Sequence, residues 1–513
     1  MKHLTVLFIV SWLFMSGKHL QGQSIADFTI TDINGNPHSL YSTLNSGKTV
    51  VLAFFSSQSH ASKVYHNSLA LKSLYQSHGP APAGDERVEI FYIEGDPSTP
   101  PGCLNGSCSS GNYNWISGVS FPVFENSALA SQLGVSSFPS IYIVCPDKKA
   151  KAIPALAANP LWEIARECPV LYGQYNIGIY DFDPGSPYEE ICGTTTLKPT
   201  FRLVNAGTQP ISEAVVTVRW NDSLNDTIHW VGQLNTFEEV ELEAKPITTS
   251  NSGTMTLTAF LSNQPDENLT NNTRTKEFAA AKVFTDSTIR VRLRSDEYGF
   301  ETYWDVRDKW GNILKKGGNP VVGPNGGGII IDPNVNYPEA LGSETVYSWF
   351  CTFSANGCYS FTLADAFGDG FLCPDQNPEC AYYRLFNYSN SLSPVLYGTE
   401  FHSYKRHIFG VEAPGLPSAA NQVMDVEQVQ KLYPNPTEQE VFVEFDVPSA
   451  QPVQIELYNA QGKLMQLIPG KEMDSGPQTM TISTETLPDG LYFILLSGRD
   501  FIRNGSFIRQ KKY

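Results

Sequence analysis

A short serine-rich segment, Ser59-His60-Ala61-Ser62, follows the apolar run TVVLAFF and opens a predicted helix. The first turn of a helix lowers the pKa of a thiol, so two cysteines at this spacing would exchange disulfides. Serine hydroxyls have no comparable redox chemistry. A hydrolase in which His60 activates Ser59 is disfavoured, because adjacent side chains on a turn generally point apart. Ser62 suits a helix N-cap or first turn, and we predict no catalytic residue here.

Acidic residues bracket glycines in the segment DAFGDG, which contains Asp365 and Asp369. Short carboxylates on a glycine turn suit Ca²⁺, because this hard cation takes several oxygen ligands from a tight loop. Phe367 occupies the middle ligand position of an acidic loop, however, and an Asp-Gly turn with its own hydrogen bonds explains the same letters. One hypothesis is calcium at Asp365 and Asp369, with Asp296 and Glu301 as distant partners. The other is a structural turn.

Nine cysteines follow the N-terminal segment, and close cysteine pairs predict disulfides in an oxidising compartment. The candidates are Cys103 with Cys108, bridges of open connectivity within the group Cys351, Cys358, Cys373 and Cys380, and Cys145 with Cys168. The unpaired cysteine is then expected among Cys145, Cys168 and Cys192. Metal binding is less favoured, because no histidine accompanies these cysteines at ligand spacing.

The first 23 residues have the pattern of an export signal, with Lys2 and His3 before an apolar stretch and then small or polar residues. The apolar stretch is too short to span a bilayer, and no other long apolar run follows. We therefore expect no transmembrane segment in the mature chain. The net charge of −17 disfavours binding to nucleic acid and to anionic lipid.

The hydrophobic pattern changes along the chain and predicts several domains. Strand-like and helix-like segments alternate at first, which indicates an α/β domain. Later segments alternate apolar and polar residues between regularly spaced turns, which indicates β-sandwiches. The predicted parts are a signal peptide at 1–23, an α/β domain at 24–172, sandwiches at 173–283 and 284–412, a polar linker at 413–428 and a C-terminal domain at 429–513.

The α/β domain resembles the thioredoxin-like fold of the redoxin and peroxiredoxin type. The resemblance rests on ADFTITDINGNPHSL, KTVVLAFFSSQSHAS and FPVFENSALASQLGVSSFPSIYIVCPDKK, and covers about 145 residues. It implies a cis-proline at Pro139 beside the active site. It also places the two redox cysteines at the positions of Ser59 and Ser62, where this chain lacks the C-x-x-C. The fold class implied is a multidomain chain, an α/β thioredoxin-like domain followed by all-β sandwich domains.

The two sandwiches resemble modules of secreted bacterial proteins. Residues 173–283, with LKPTFRLVNAGTQPISEAVVTVRW, are similar to CARDB or immunoglobulin-like modules. Residues 284–412, with GCYSFTLADAFGDGFLC, are similar to jelly-roll-like modules found beside catalytic or adhesive domains. Such resemblances imply spacer, adhesive or ligand-binding roles.

The C-terminal domain resembles the type A sorting domain of the type IX secretion system. The resemblance rests on KLYPNPTEQEVFVEF, VQIELYNAQGKLMQ and LPDGLYFILLSGRDFIRNGSFIRQKKY. It implies that residues 429–513 contact the secretion machinery, and that the chain crosses the inner membrane and reaches the outer-membrane surface or the medium.

These patterns together favour an exported, non-catalytic binding or adhesion protein built on a redox-inactive thioredoxin fold, with an unidentified protein or glycan ligand. One alternative is an exported thiol-disulfide or peroxide oxidoreductase that uses Cys103 and Cys108, or Cys145. Another is a calcium-dependent accessory protein that binds carbohydrate through the aromatic side chains of Trp304, Trp310, Tyr359 and Phe367. No metalloprotease, nucleotide-binding or serine-hydrolase motif occurs in a suitable context.

Overall fold

The computed structural model describes residues 22–511 apart from 101, 108–112, 374–378, 391, 415–428, 448, 461 and 499–501. The predicted signal peptide up to residue 21, Cys108 and most of the predicted linker lie outside the described residues.

The first domain is a mixed sheet with helices on both faces. Its elements are β1 (Gln23–Ser24), β2 (Thr29–Thr31), β3 (Pro37–Ser39), α1 (Leu40–Asn45), β4 (Thr49–Phe55), α2 (His60–Asn67), α3 (Ala70–His78), β5 (Val88–Glu94), β6 (Val123–Glu125), α4 (Ser127–Gln132), β7 (Ser140–Val144), β8 (Lys149–Ile153) and α5 (Ala158–Ala165). The strand order is β1-β8-β7-β4-β5-β6, with β4, β5 and β6 parallel and β7 antiparallel to β4. Every residue of β4 is buried, as expected for a strand covered on both faces. This topology is thioredoxin-like, as predicted.

The second domain is a β-sandwich without α-helices among its described residues. Its strands are β9 (Ile177–Asp183), β10 (Glu190–Ile191), β11 (Thr195–Leu197), β12 (Thr200–Asn205), β13 (Ile211–Trp220), β14 (Ser223–Leu234), β15 (Glu239–Glu243), β16 (Ile247–Thr249), β17 (Gly253–Leu261) and β18 (Thr273–Ala280). The sheets β10-β18-β17-β13-β14 and β15-β12-β9 enclose the core. Alternate residues of β13, among them Val216 and Val218, point into that core, so the period-two pattern fixes the register.

The third domain is a second sandwich of two larger sheets. Its strands are β19 (Lys282–Phe284), β20 (Thr288–Arg294), β21 (Thr302–Arg307), β22 (Ile313–Gly318), β23 (Val346–Thr352), β24 (Gly357–Asp365), β25 (Tyr382–Asn387), β26 (Leu396–Gly398) and β27 (Tyr404–Val411). They form the sheets β19-β27-β24-β21-β22 and β23-β20-β25-β26. Trp304 and Phe361 are fully buried between them. Strand β19 begins just before the predicted boundary at 284 and pairs with β27 of this domain.

The C-terminal domain is a small sandwich. Its strands are β28 (Lys431–Tyr433), β29 (Glu440–Val447), β30 (Gln451–Asn459), β31 (Leu464–Met473), β32 (Gly476–Ser483), β33 (Gly490–Ser497) and β34 (Ile502–Arg509). They form the sheets β28-β29-β32 and β31-β30-β33-β34. In β29, Val441, Val443 and Phe445 alternate with outward-facing residues and bury their side chains in the core.

The disulfides correct one part of the sequence interpretation. Cys145 bonds to Cys168, as the candidate pairing anticipated. Cys358, however, bonds to Cys192 rather than to a member of its own group. Pairing of β10 with β18, and a contact between Glu190 and His407 on β27, bring the end of β10 beside the start of β24, and the two Cα atoms lie 6.0 Å apart.

The remaining described cysteines comprise one disulfide-bonded residue and three free thiols. Cys103 is disulfide-bonded, and its predicted partner Cys108 lies outside the described residues. Cys351, Cys373 and Cys380 are free thiols. The unpaired cysteines therefore lie in the group of four, and the expectation of an odd cysteine among Cys145, Cys168 and Cys192 is wrong.

Candidate functional site

The serine-rich segment lies where β4 passes into α2. Ser59 is the N-cap of α2, and its Oγ accepts the backbone N–H of Ser62 at 3.2 Å. The same hydroxyl donates to the carbonyl oxygen of Phe138 at 3.2 Å. Ser59 thus joins the start of the helix to the residue before Pro139.

Ser62 is buried in the first turn of α2, with 1% of its surface exposed. Its Oγ accepts the backbone N–H of Ser56 at 3.2 Å. Both hydroxyls, at the positions where the thioredoxin resemblance places the redox cysteines, are therefore engaged in backbone hydrogen bonds that hold the β4–α2 turn. The peptide bond between Phe138 and Pro139 is cis, the geometry that the thioredoxin resemblance implies.

Loss of the N-cap hydroxyl should have a measurable cost. We expect Ser59→Ala to lower the free energy of unfolding of the first domain by about 1 kcal/mol, because it leaves a helix N–H without its acceptor. Chemical denaturation of the full chain measures this change. Ser117→Ala, at an exposed serine, is the matched control, and equal stability of the two variants would contradict the capping role.

A buried carboxyl group that the sequence interpretation missed lies beside this turn. Glu94 ends β5 with 3% of its surface exposed, and it accepts the N–H groups of Ser57 at 2.7 Å and Asp96 at 3.0 Å. Burial raises the pKa of Glu94 to about 7, against the opposing effect of these hydrogen bonds. Its signal in the sequence was the glutamate that ends an otherwise largely apolar strand, VEIFYIE.

The third domain reaches the first domain close to this site. Phe367 is buried among first-domain side chains, with its ring centroid 5.8 Å from that of Tyr65. Its carbonyl oxygen accepts the N–H of Ala157 at 3.2 Å. Nearby, Nε2 of His60 lies 3.2 Å from Oδ2 of Asp332. Phe367 occupies the middle ligand position of the acidic loop, but its side chain packs into the core of the first domain.

The acidic segment that carries Phe367 forms a cluster of carboxylates. Ligand oxygens of Glu301, Asp365 and Asp369 lie within 4.8 Å of one another. Asp296, the other expected partner, accepts the N–H groups of Tyr298 at 3.0 Å and Leu372 at 2.8 Å. Among the residues that the structure describes, no lysine or arginine forms an ion pair with these four groups.

Burial dominates the protonation of this cluster. Desolvation, followed by the charges of Asp369 and Asp296, raises the pKa of Glu301 to about 8. Desolvation also raises the pKa of Asp296 to about 6 and that of Asp365 well above its usual value. A cation would favour the charged forms, because opposite charge stabilises a carboxylate. Three carboxylates are a donor set that suits Ca²⁺, which needs further oxygens to reach six to eight ligands.

The aromatic side chains considered for sugar stacking are mostly inaccessible. Trp304, Tyr359 and Phe367 are buried. Trp310 is 76% exposed at the turn between β21 and β22, where Nζ of Lys309 lies 4.6 Å from its ring centroid. Of these four residues, Trp310 alone presents a ring to solvent.

Comparison with known proteins identifies the C-terminal domain. Residues 431–503 match the family model of the Secretion system C-terminal sorting domain. The predicted sorting domain is thereby confirmed, and the chain is a secreted or cell-surface protein that carries a thioredoxin-like domain. Among the described residues, no helix is long and apolar enough to cross a membrane.

Solved structures similar to the first domain have low identity. They include the thioredoxin domain of a thiol-disulfide oxidoreductase from Bacteroides vulgatus (17% identity, TM-score 0.21, 28% of this chain and 97% of that chain). Another is an exposed lipoprotein thioredoxin from Streptococcus pneumoniae (20% identity, TM-score 0.20, 28% of this chain and 99% of that chain). The fold assignment rests on strand order and the cis-proline rather than on these similarities. No curated protein matches the chain.

Proposed function

We propose that this chain is a non-catalytic binding protein of the cell surface, in which the thioredoxin-like domain serves as a rigid binding and packing module. The observation that carries the proposal is the use of both serine hydroxyls, Ser59 and Ser62, in backbone hydrogen bonds. A thiolate nucleophile is replaced there by groups that stabilise a turn. The ligand class is a protein or a glycan, and residues 429–513 contact the secretion machinery.

The thiol-based alternative is less well supported by the positions of the cysteines. Cys145 follows β7 and Cys168 follows the C-terminal end of α5. A helix C-terminus carries partial negative charge, which disfavours a thiolate. The bond between them is best understood as a structural disulfide.

An insulin-reduction and peroxide-consumption assay on the full chain separates these two functions. We expect the wild-type chain to show no turnover above the buffer blank. The variant Ser59→Cys, Ser62→Cys returns a dithiol to the start of α2 beside Pro139 and is the positive control. Wild-type turnover that disappears in Cys103→Ser or in Cys145→Ser would overturn the non-catalytic assignment.

A second property proposed for this protein is calcium binding by Glu301, Asp365 and Asp369 in the third domain. It is supported by the convergence of three carboxylates without a basic partner among the described residues. The ion would stabilise the loop whose Phe367 packs into the first domain, and so would stiffen the contact between the two domains. Carbohydrate binding at this domain would use Trp310, the exposed ring.

A further inference from the structure

The third domain and the sorting domain meet at a buried ion cluster. Nη1 of Arg290 donates to Oε2 of Glu456 at 2.8 Å, and Nη1 of Arg292 donates to Oε1 of Glu456 at 2.9 Å. Glu456 lies on β30 of the sorting domain and is fully buried, while Arg290 is 2% exposed. Both arginines lie on β20 of the third domain and point away from its core residues.

Each oxygen of Glu456 has a further donor from the sorting domain itself. Tyr458 Oη donates to Oε2 at 2.8 Å, and Nε2 of Gln454 donates to Oε1 at 3.0 Å. On the other side, the guanidinium of Arg290 lies 4.7 Å from the ring centroid of Phe386. The carboxylate is therefore enclosed by four donors, which a buried charge requires to offset its loss of water.

Neighbouring contacts extend the interface around Glu456. Tyr458 and Leu495 of the sorting domain pack with Phe350 and Tyr388 of the third domain. The backbone N–H of Ser348 donates to the carbonyl oxygen of Gly462 at 3.1 Å. Apolar packing and a backbone bond thus fix the orientation in which Glu456 meets the arginines.

The packing beside the ion cluster differs from that of a domain core. A cleft of about 650 Å³ separates the two domains and is lined by residues of both, including Ser348, Trp349, Tyr458 and Phe493. Domain cores are close-packed, so a cleft of this size gives the contact the character of an interface between separable parts.

We propose that the outer face of β20 and β23 is a docking surface for the sorting domain, with Glu456 as its anchor. The sorting domain then stays bound to the third domain without a covalent link between them. The docking surface is specific for the sorting domain, because a carboxylate must lie between Arg290 and Arg292. Removal of that carboxylate takes away the acceptor that both arginines share, one of them buried and the other partly buried, and this weakens the contact roughly a hundredfold. The inference is independent of the proposed binding function.

Cleavage of the intact protein tests this docking surface. A protease recognition sequence is placed within residues 415–428, the full chain is purified and cut, and size-exclusion chromatography follows the two fragments. We expect wild-type fragments to elute together, and the fragments of Glu456→Gln to separate. Glu472→Gln, at an exposed position on β31, is the matched control and should elute as the wild type does. A dilution series gives the fold-change in affinity.

Variants on the third domain keep the test independent of sorting-domain folding. Arg292→Gln should release the fragment as Glu456→Gln does. Arg294→Gln, on the same strand and without an ion pair to Glu456 among the described residues, should not. Melting curves of the uncut variants verify that each is folded. Separation of the wild-type fragments on cutting, or an unchanged affinity in both Glu456→Gln and Arg292→Gln, would refute the proposal.

Discussion

Replacement of both Cys192 and Cys358 by serine is expected to lower the free energy of unfolding of the second and third domains by about 5 kcal/mol. The two residues lie 166 positions apart in the chain. A cross-link between distant positions removes more conformational freedom from the unfolded chain than one between close positions. Differential scanning calorimetry of the full chain measures the loss as a lower melting temperature of these two domains.

Two matched variants distinguish this effect from the loss of a cysteine side chain. Cys145→Ser with Cys168→Ser opens a loop with a separation of 23 and should cost less, about 3 kcal/mol, in the first domain. Cys351→Ala removes a buried free thiol and should leave the sensitivity to reductant unchanged. If the Cys192 and Cys358 double variant melted as the wild type does, the bond would not constrain these domains.

The second large effect concerns the carboxylate cluster. In the absence of calcium at neutral pH, we expect Glu301→Gln to stabilise the third domain by about 3 kcal/mol. Burial raises the pKa of Glu301 from 4.5 in the unfolded chain to about 8, so the folded protein must take up a proton or hold an unfavourable charge. Glutamine has the same shape and needs no proton. Thermal melting in the presence of a chelator measures the difference.

The direction of the pH dependence follows from the raised pKa. Below about pH 4.5 the Glu301 carboxyl is protonated in both the folded and the unfolded chain, so its contribution to stability is fully present. Between 4.5 and about 8 the folded state binds more protons than the unfolded state, and stability falls as pH rises. The calcium-free wild-type protein should therefore lose stability over this range, and Glu301→Gln should lose much less.

Calcium should reverse the order of the two proteins. An ion bound at the proposed site would compensate the carboxylates of the wild-type cluster and raise its melting temperature, whereas Glu301→Gln would lack one charged ligand and gain less. Glu297→Gln, at an exposed neighbouring position, is the control and should follow the wild type under both conditions. A Glu301→Gln protein that is less stable than the wild type in chelator would contradict the electrostatic account.

Local sequence patterns predicted the elements well. The apolar run of β4, the helix that begins after Ser59 and the alternating strands of the sorting domain all occur as the periodicity indicated. The cis peptide bond at Pro139 was expected from the resemblance and is present. Each of these features is determined by neighbouring residues, or by a family pattern that extends over a whole domain.

The features that sequence interpretation missed depend on contacts between distant parts of the chain. The alternation of apolar residues along β30 indicates an outward face for Glu456, and the third domain covers that face. Phe367 lies in an acidic turn, yet its environment is the core of the first domain. Cys192 bonds to Cys358 because the end of β10 lies beside the start of β24. The spacing of residues in the sequence carries no information on such long-range contacts.

The bond between Cys192 and Cys358 also has a mechanical consequence for a protein that is held at a surface and pulled. Tension applied between the first domain and the sorting domain passes directly across the sulfur–sulfur bond. The 166-residue separation that it closes corresponds to roughly 580 Å of extended chain. This stretch of chain cannot extend while the disulfide is intact. Most of the second and third domains therefore cannot unfold under tension until the disulfide is reduced.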